Sequence, residues 1–151
     1  MPDSIGQTET QFYHFNNKES PFELKSGAKL TSFTLAYEIY GELSENKDNA
    51  ILLFHALSAS QHAAGTNDNV EGLTVDWDKE CQTGWWEKFI GSGKALDTDK
   101  HCIICANYLG GCYGSTGPSS INPETGNPYG SSFPRISIKD IVNSQIELIN
   151  H

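Results

Sequence analysis

The sequence lacks any apolar run long enough to cross a membrane, which takes about 20 consecutive apolar residues. It also lacks a basic cluster: its 10 Lys and Arg are scattered among 19 Asp and Glu, and the net charge is −9. A nucleic-acid partner would need grouped Lys and Arg to neutralise phosphates. Residues 1–9 show no basic region followed by an apolar one, so we expect no secretory signal. The chain of 151 residues therefore predicts a globular, cytoplasmic protein with neither a membrane nor a nucleic-acid partner.

Two catalytic motifs are absent as well. The Gly-x-Ser-x-Gly pattern of a nucleophile elbow occurs nowhere, and the residue two positions before Ser115 is Tyr113. The glycine-rich loop Gly110–Pro118 contains no lysine, whereas a P-loop ends in Gly-Lys-Ser/Thr. A small hydrolase that uses Ser115 and a phosphate-binding loop are therefore the least favoured interpretations.

The cysteines and histidines do not indicate a metal centre. Cys102 and Cys105 lie in one predicted strand, where positions three apart face opposite ways, a geometry that suits neither zinc nor a redox pair. We predict that they are buried thiols in a reducing compartment. His55 and His62 have no carboxylate or cysteine nearby at ligand spacing, so we expect no metal.

Apolar and β-branched runs separated by turn residues predict four strands. They fall near Pro21–Leu24, within Lys29–Gly41, at Ile51–Phe54 and at Cys102–Ala106. The run Ile51–Phe54 is continuous, as expected of a buried strand with helices on both faces. The segment 137–150 predicts a helix with an apolar stripe, and Ser137 with Asp140 resembles a capping box. Strands separated by long crossovers indicate an α/β fold with a mostly parallel sheet.

The segments between these elements are predicted from composition. We expect residues 1–20 to be a flexible N-terminus and residues 21–151 to form one domain. Residues 58–84 predict an acidic surface loop. Gly84–Ile90 predicts a short aromatic helix whose tryptophans belong to a core or a pocket wall or, alternatively, form an exposed binding platform. Residues 107–136 predict a long loop, rich in glycine and proline, that shapes the floor of a pocket.

The segment His55-Ala56-Leu57 comes directly after the predicted strand Ile51–Phe54. In acyl transfer, negative charge develops on the substrate's carbonyl oxygen, and backbone N–H groups at the exit of a strand can donate to it. We predict that the Leu57 N–H is one such donor, since the small side chain of Ala56 permits a close approach. The alternative is an ordinary strand exit in which His55 is hydrogen-bonded to backbone.

The ordered combination of these segments resembles the homoserine O-acetyltransferase family. The matching stretches are Leu35–Glu38 with Tyr40–Gly41, His55–Ser58 with His62–Ala63, Gly84–Trp86 with Gly91–Ala95, Asn107 with Leu109–Cys112, Gly114–Pro118, Phe133–Pro134 and the helix up to His151. The resemblance implies an α/β-hydrolase fold with a doubly wound sheet and a ping-pong transfer in which a serine takes the acyl group from acyl-CoA. It also implies Leu57 as an oxyanion donor, with His55, Ala56, Gly110 and Gly111 as pocket wall.

The resemblance further implies the partners of the reaction. The acceptor is homoserine and the co-substrate is acetyl-CoA or succinyl-CoA, in a reaction on the route to methionine. The resemblance implies no bound cofactor, and it implies that the whole protein is a homodimer. The family's serine, aspartate and histidine are expected beyond His151, so we predict an N-terminal part of the domain that ends before the elbow strand and is inactive alone. A non-catalytic binding module, a serine O-acetyltransferase and a homoserine O-succinyltransferase remain open as alternatives.

Overall fold

A computed structural model describes residues 4–73 and 75–151. Positions 1–3 of the predicted flexible N-terminus and Thr74 of the predicted acidic loop lie outside the described residues. The chain divides into two compact units. The first contains the chain up to Gln11 together with Tyr37–Ala106, and the second contains Phe12–Ala36 together with Asn107–His151.

The first unit is organised around strand β8 (Cys102–Ala106), which is confirmed with the bounds that the sequence predicted. β8 pairs antiparallel with the C-terminal part of β4 (Ser32–Tyr40) and parallel with β5 (Ala50–Leu53). A second parallel pair joins β6 (Ile90–Gly91) to β7 (Leu96–Asp97). The core of this unit is a cluster of buried side chains formed by Tyr40, Ala63, Ala64, Ile90, Ile103 and Cys105.

The second unit contains β1 (Gln11–Asn16) from Phe12 onward, and this strand is a hydrogen-bonded neighbour of β4. β2 (Phe22–Glu23) and β3 (Lys29–Leu30) form an antiparallel pair. β1 falls within the segment 1–20 that we predicted to be flexible, and aromatic packing explains the difference. The Phe15 ring stacks on Phe33 with centroids 4.9 Å apart, so an apolar anchor that composition did not reveal holds the strand.

The helix α1 (Ile138–Ile149) of the second unit confirms the predicted helix and its capping box. The Ser137 side chain accepts a hydrogen bond from the Asp140 N–H, and the Asp140 carboxylate accepts one from the Ser137 N–H. The buried residues of α1 are Asp140, Ser144, Gln145 and Leu148. Much of the predicted apolar stripe is exposed instead, since Ile138, Val142, Ile146 and Ile149 are 37–80% exposed.

Three predictions for the first unit are wrong. Gly84–Ile90 forms turns and not a helix, because the Trp86 N–H donates to the Ala63 carbonyl and Ile90 enters the β6–β7 pair. The predicted surface loop is buried at 60–64, where side chains from β4 hold it in place. The strand predicted at Ile51–Phe54 exists, but β5 is only half-buried, since among the described residues it pairs only with β8.

Where the chain is described, α1 is neither long nor apolar enough to cross a membrane, and neither is any other helix.

Candidate functional site

The Leu57 backbone lies at the tip of a tight turn. Three residues after the end of β5, the Ala56 carbonyl accepts a hydrogen bond from the Ala59 N–H at 2.9 Å, which places Leu57 and Ser58 at the two central positions. The Leu57 residue is 97% exposed, and among the described residues no group accepts a hydrogen bond from its N–H. The turn therefore presents a backbone donor with no protein partner in the first unit, as an oxyanion donor requires.

His55 is hydrogen-bonded to backbone, as the alternative interpretation of this segment expects. Its Nδ1 donates to the Ala56 carbonyl at 2.7 Å, and its side chain is buried. Burial lowers the pKa of His55, and the hydrogen bond to Ala56 offsets only part of that effect, so the ring is neutral near pH 7. The Ala56 carbonyl thus accepts from both His55 and Ala59. The contact fixes the turn that presents Leu57, and the two interpretations of this segment are compatible.

The chain just after this turn is held by a buried polar network that the sequence analysis missed. The Glu38 carboxylate, on β4, accepts hydrogen bonds from His62 Nδ1 and Tyr40 Oη, each at 2.9 Å. Its other oxygen accepts from the Thr10 hydroxyl and the Asn67 amide at 2.8 and 2.9 Å. Burial alone would raise the pKa of Glu38, but the hydrogen bond and charge of His62 and the other donors outweigh burial and lower it.

One signal in the sequence could have revealed this network. Glu38 stands between aromatic and apolar residues in a predicted strand, and a carboxylate at a buried position needs hydrogen-bond donors. The donors themselves could not be identified, because His62 and Asn67 follow Glu38 by 24 and 29 positions and lie in the irregular segment beyond β5.

Gly110 and Gly111 lie in the second unit, at the start of the loop after β8. The Gly110 N–H donates to the Thr116 carbonyl at 2.8 Å, and the Gly111 N–H donates to the Tyr108 carbonyl at 2.7 Å. Gly110 has a φ of +90°, and a side chain at Gly111 would lie 2.6 Å from the Asn107 side-chain oxygen. Both N–H groups are therefore used within the loop, and the glycines serve its shape rather than donate to a substrate.

Ser115 is a buried structural hydroxyl. Its Oγ donates to the Asn107 carbonyl at 2.8 Å and accepts from the Ala36 N–H at 3.0 Å. A nucleophilic serine needs an exposed oxygen with a general base beside it, and these two bonds connect Ser115 only to backbone groups. The geometry therefore argues against the hydrolase interpretation of Ser115.

The cysteines of β8 are buried free thiols, as predicted. Burial raises the pKa of Cys105 to about 12, with a further contribution from the Glu38 charge, so the reactive thiolate is not formed near pH 7. Of the two histidines considered as metal ligands, His55 contacts Ala56 and His62 contacts Glu38 and the Gln82 carbonyl.

Solved structures define the class of fold. A crystal structure of esterase E22 matches 95% of this chain and 37% of its own chain, with a TM-score of 0.77 and 34% identity. The homoserine O-acetyltransferase of Bacillus anthracis matches 94% of this chain and 36% of its own, with a TM-score of 0.74 and 33% identity. No family model matches the sequence. The predicted α/β-hydrolase-type fold is thereby confirmed.

Curated relatives then identify the family. The homoserine O-acetyltransferase of Methanosalsum zhilinae is 51% identical over 149 residues, which are 98% of this chain and 27% of that protein. The homoserine O-succinyltransferase of Alkalilimnicola ehrlichii is 47% identical over 146 residues, or 97% of this chain and 35% of that protein. By sequence the chain belongs to the homoserine O-acetyltransferase family, and it spans about a third of the length of these relatives.

Proposed function

We propose that this chain is the N-terminal portion of an acyltransferase that moves an acyl group from acyl-CoA to the side-chain hydroxyl of homoserine. The chain supplies the Leu57 N–H as one of two oxyanion donors, and the residues around it form part of the acyl pocket. The serine, histidine and aspartate of the triad come from the part of the protein that follows the matched third. The whole protein is a cytoplasmic homodimer that uses acetyl-CoA or succinyl-CoA and no bound cofactor.

The Leu57 N–H, for which the described part of the chain offers no acceptor, is the observation that carries this proposal. It lies at the tip of a turn whose closing carbonyl, on Ala56, is held by two hydrogen bonds. Such a donor is preorganised, so it can stabilise an oxyanion without reorganisation during the reaction. In the ping-pong mechanism this oxyanion forms twice, when the serine attacks acyl-CoA and when homoserine attacks the acyl-serine.

The isolated chain is expected to be inactive, because it contains no Gly-x-Ser-x-Gly elbow. Purified chain mixed with acetyl-CoA or succinyl-CoA and homoserine should release no free CoA above the uncatalysed rate. Turnover by the isolated chain would contradict this part of the proposal.

A chimera tests the proposed role of the chain in a complete enzyme. The matched 149 residues of the Methanosalsum zhilinae relative are replaced by this chain, and CoA release is measured with each donor. The same exchange in the Alkalilimnicola ehrlichii relative tests the second donor. We expect the Methanosalsum chimera to acylate homoserine. A folded chimera that has lost all activity would contradict the proposal.

Leu57 can be tested within the active chimera. Leu57→Pro removes the N–H, whereas Leu57→Ala shortens the same exposed side chain and keeps the donor. Loss of one oxyanion donor costs about 100-fold in kcat, so the proline variant should be slower than the alanine variant by about that factor. Equal kcat values for two variants with equal melting temperatures would exclude the Leu57 donor.

The alternative of a non-catalytic module predicts a different result. A module that keeps half of the pocket for binding should bind acyl-CoA as the isolated chain, with a measurable heat in a calorimetric titration. We expect no saturable heat, because the proposed pocket is completed by residues outside the chain.

A further inference from the structure

We propose that His62 is a buried imidazolium cation, paired with Glu38, and that this pair is the positioning element for the turn that presents Leu57. The effect on catalysis assumes the proposed acyl transfer, whereas the charge state of the pair can be measured without it. The pair touches no proposed substrate position. Its role is to fix the backbone that does.

The hydrogen bonds of His62 define its protonation state. Its Nε2 lies 3.1 Å from the Gln82 carbonyl oxygen, which can only accept, so Nε2 carries a hydrogen. Its Nδ1 lies 2.9 Å from a Glu38 carboxylate oxygen. If that carboxylate is ionised, it can only accept, so Nδ1 carries a hydrogen as well and the ring is a cation.

The surroundings of Glu38 show that it is the ionised partner. Thr10, Asn67 and His62 direct hydrogens at the carboxylate, and the single hydroxyl hydrogen of Tyr40 is shared between Glu38 and the Gln61 carbonyl. An ionised carboxylate accepts hydrogen bonds at about four positions, so it suits a site lined with donors. The Asn67 side-chain oxygen accepts from the Asn69 N–H, so its amide nitrogen is the atom directed at Glu38. Burial would raise the pKa of Glu38, but these hydrogen bonds and the charge of His62 outweigh it and lower the pKa, so the carboxyl is ionised near pH 7.

The other titratable groups that face the pair are neutral. Burial raises the pKa of Tyr40 well above its usual range, with a smaller contribution from the Glu38 charge. Burial, followed by the charge of Glu38, likewise raises the pKa of Cys105. The side chains of Thr8 and Trp77, which also lie beside the His62 ring, do not titrate. The single negative charge of Glu38 is therefore balanced by a single positive charge on His62.

The pair connects β4 to the chain just after the Leu57 turn. The Tyr40 hydroxyl lies beside the Glu38 oxygen that His62 contacts. It shares its hydrogen between that oxygen and the Gln61 carbonyl, 3.1 Å away, and accepts from the Ala63 N–H at 2.7 Å. Residues 60–64 are thereby held by two side chains of a sheet strand. The other end of the turn leaves β5, which is paired with β8. The turn that carries Leu57 is thus anchored at both ends, and breaking the pair releases one of them.

The charge state is tested on the isolated chain by NMR of ¹⁵N-labelled histidine. At about pH 8, where an ordinary histidine with a pKa of ~6.5 is neutral, we expect both ring nitrogens of one histidine to remain protonated. His62→Gln should remove that signal and thereby assign it. If the His62 ring shows one protonated and one bare nitrogen at this pH, the ion pair is absent and the proposal is wrong.

The positioning role is tested in the active chimera with Glu38→Gln, and the matched control is Glu42→Gln, which changes an exposed glutamate just beyond β4. A displaced oxyanion donor lowers kcat and leaves ground-state binding intact, so Glu38→Gln should reduce kcat at least about 10-fold at unchanged KM for acyl-CoA. In that variant the His62 ring should lose its second proton at about pH 8. Unchanged kcat in a variant that has lost the cation would overturn the positioning role.

These two readouts separate the inference from the proposed function. An inactive parent chimera with a protonated His62 in the isolated chain contradicts only the proposed acyl transfer. An active parent chimera with a neutral His62 contradicts only the ion pair. If Glu38→Gln does not fold, Thr10→Val removes one donor to Glu38 together with an acceptor for the Gln61 and Asn67 amides. We expect it to reduce kcat at unchanged KM by a smaller factor. A Thr10→Val variant with wild-type kcat would count against positioning by the network.

Discussion

Single residues in this chain show that a hydroxyl or carboxylate of a type found in catalytic sites can have a purely structural set of hydrogen bonds. Ser115 stands in a glycine-rich loop, where a nucleophile would also be expected, yet both of its hydrogen bonds go to backbone. Glu38 stands in an apolar strand and is surrounded by donors. At this scale burial and partner identity, and not residue type, decide the role.

The structural role of Ser115 predicts a loss of stability on substitution. Ser115→Ala leaves the buried Ala36 N–H without its acceptor, so the free energy of unfolding should fall by about 1–3 kcal/mol. Ser131→Ala, an exposed serine in the same unit, is the matched control and should change it by less than about 0.5 kcal/mol. Chemical denaturation measures both. A Ser115→Ala variant as stable as the Ser131→Ala control would show that the two hydrogen bonds contribute little.

At the scale of elements, the N-terminus of α1 should respond to acid. Burial would raise the pKa of Asp140, but hydrogen bonds from Ser137 and from the Lys25 N–H outweigh it and lower the pKa. A carboxyl group whose pKa is lower in the folded state stabilises the fold above its unfolded pKa of about 3.9. That contribution is lost as the pH falls through the folded value.

We therefore expect the wild-type melting temperature to drop, as the pH falls below about 4, by more than that of Asp140→Asn, which cannot ionise. At pH 7 Asp140→Asn should be less stable than the wild type by about 1 kcal/mol, since the asparagine keeps the shape of the cap but loses its charge. Parallel acid profiles for the two proteins would contradict this account of the capping box.

The exposed apolar side of α1 predicts self-association that can be reduced without loss of stability. Ile138 is 80% exposed at the first turn of the helix, where a negative charge interacts favourably with the helix dipole. Ile138→Glu should lower light scattering of the isolated chain and leave its melting temperature within experimental error. Leu148→Ala, at a buried position of the same helix, should cost about 2–5 kcal/mol. If Ile138→Glu destabilises as much as Leu148→Ala, the exposed side of α1 is packed in solution.

At the scale of the whole molecule, the chain spans about a third of the length of its relatives. Among the described residues β5 is paired on one side only, and Phe54, directly after it, is 46% exposed. An unpaired strand edge favours aggregation. We therefore expect a broad thermal transition for the isolated chain, followed by aggregation, and a sharper transition for the chimera. A sharp, reversible melt of the isolated chain would contradict this prediction.

The elements that the sequence predicted correctly are those whose signals are local. β8 is an apolar run between polar residues, and α1 begins at a serine followed three positions later by an aspartate, so neighbouring residues define the bounds of each. The predictions for 60–64 and for Gly84–Ile90 failed because these segments are held by each other and by β4. The Ala63 carbonyl accepts a hydrogen bond from the Trp86 N–H, and the Tyr40 hydroxyl accepts one from the Ala63 N–H.

The same distinction holds for the candidate site. The sequence by itself determined the fold class, the family resemblance and the position of Leu57 just after a strand, because each depends on residue order within short segments. Only the tertiary structure decided that the Leu57 N–H has no acceptor among the described residues, that Ser115 is bonded to backbone, and that Glu38 and His62 form a buried pair. These facts depend on which distant groups satisfy a hydrogen bond once water is excluded, and partners separated by 24 or more positions leave no periodic pattern in the chain.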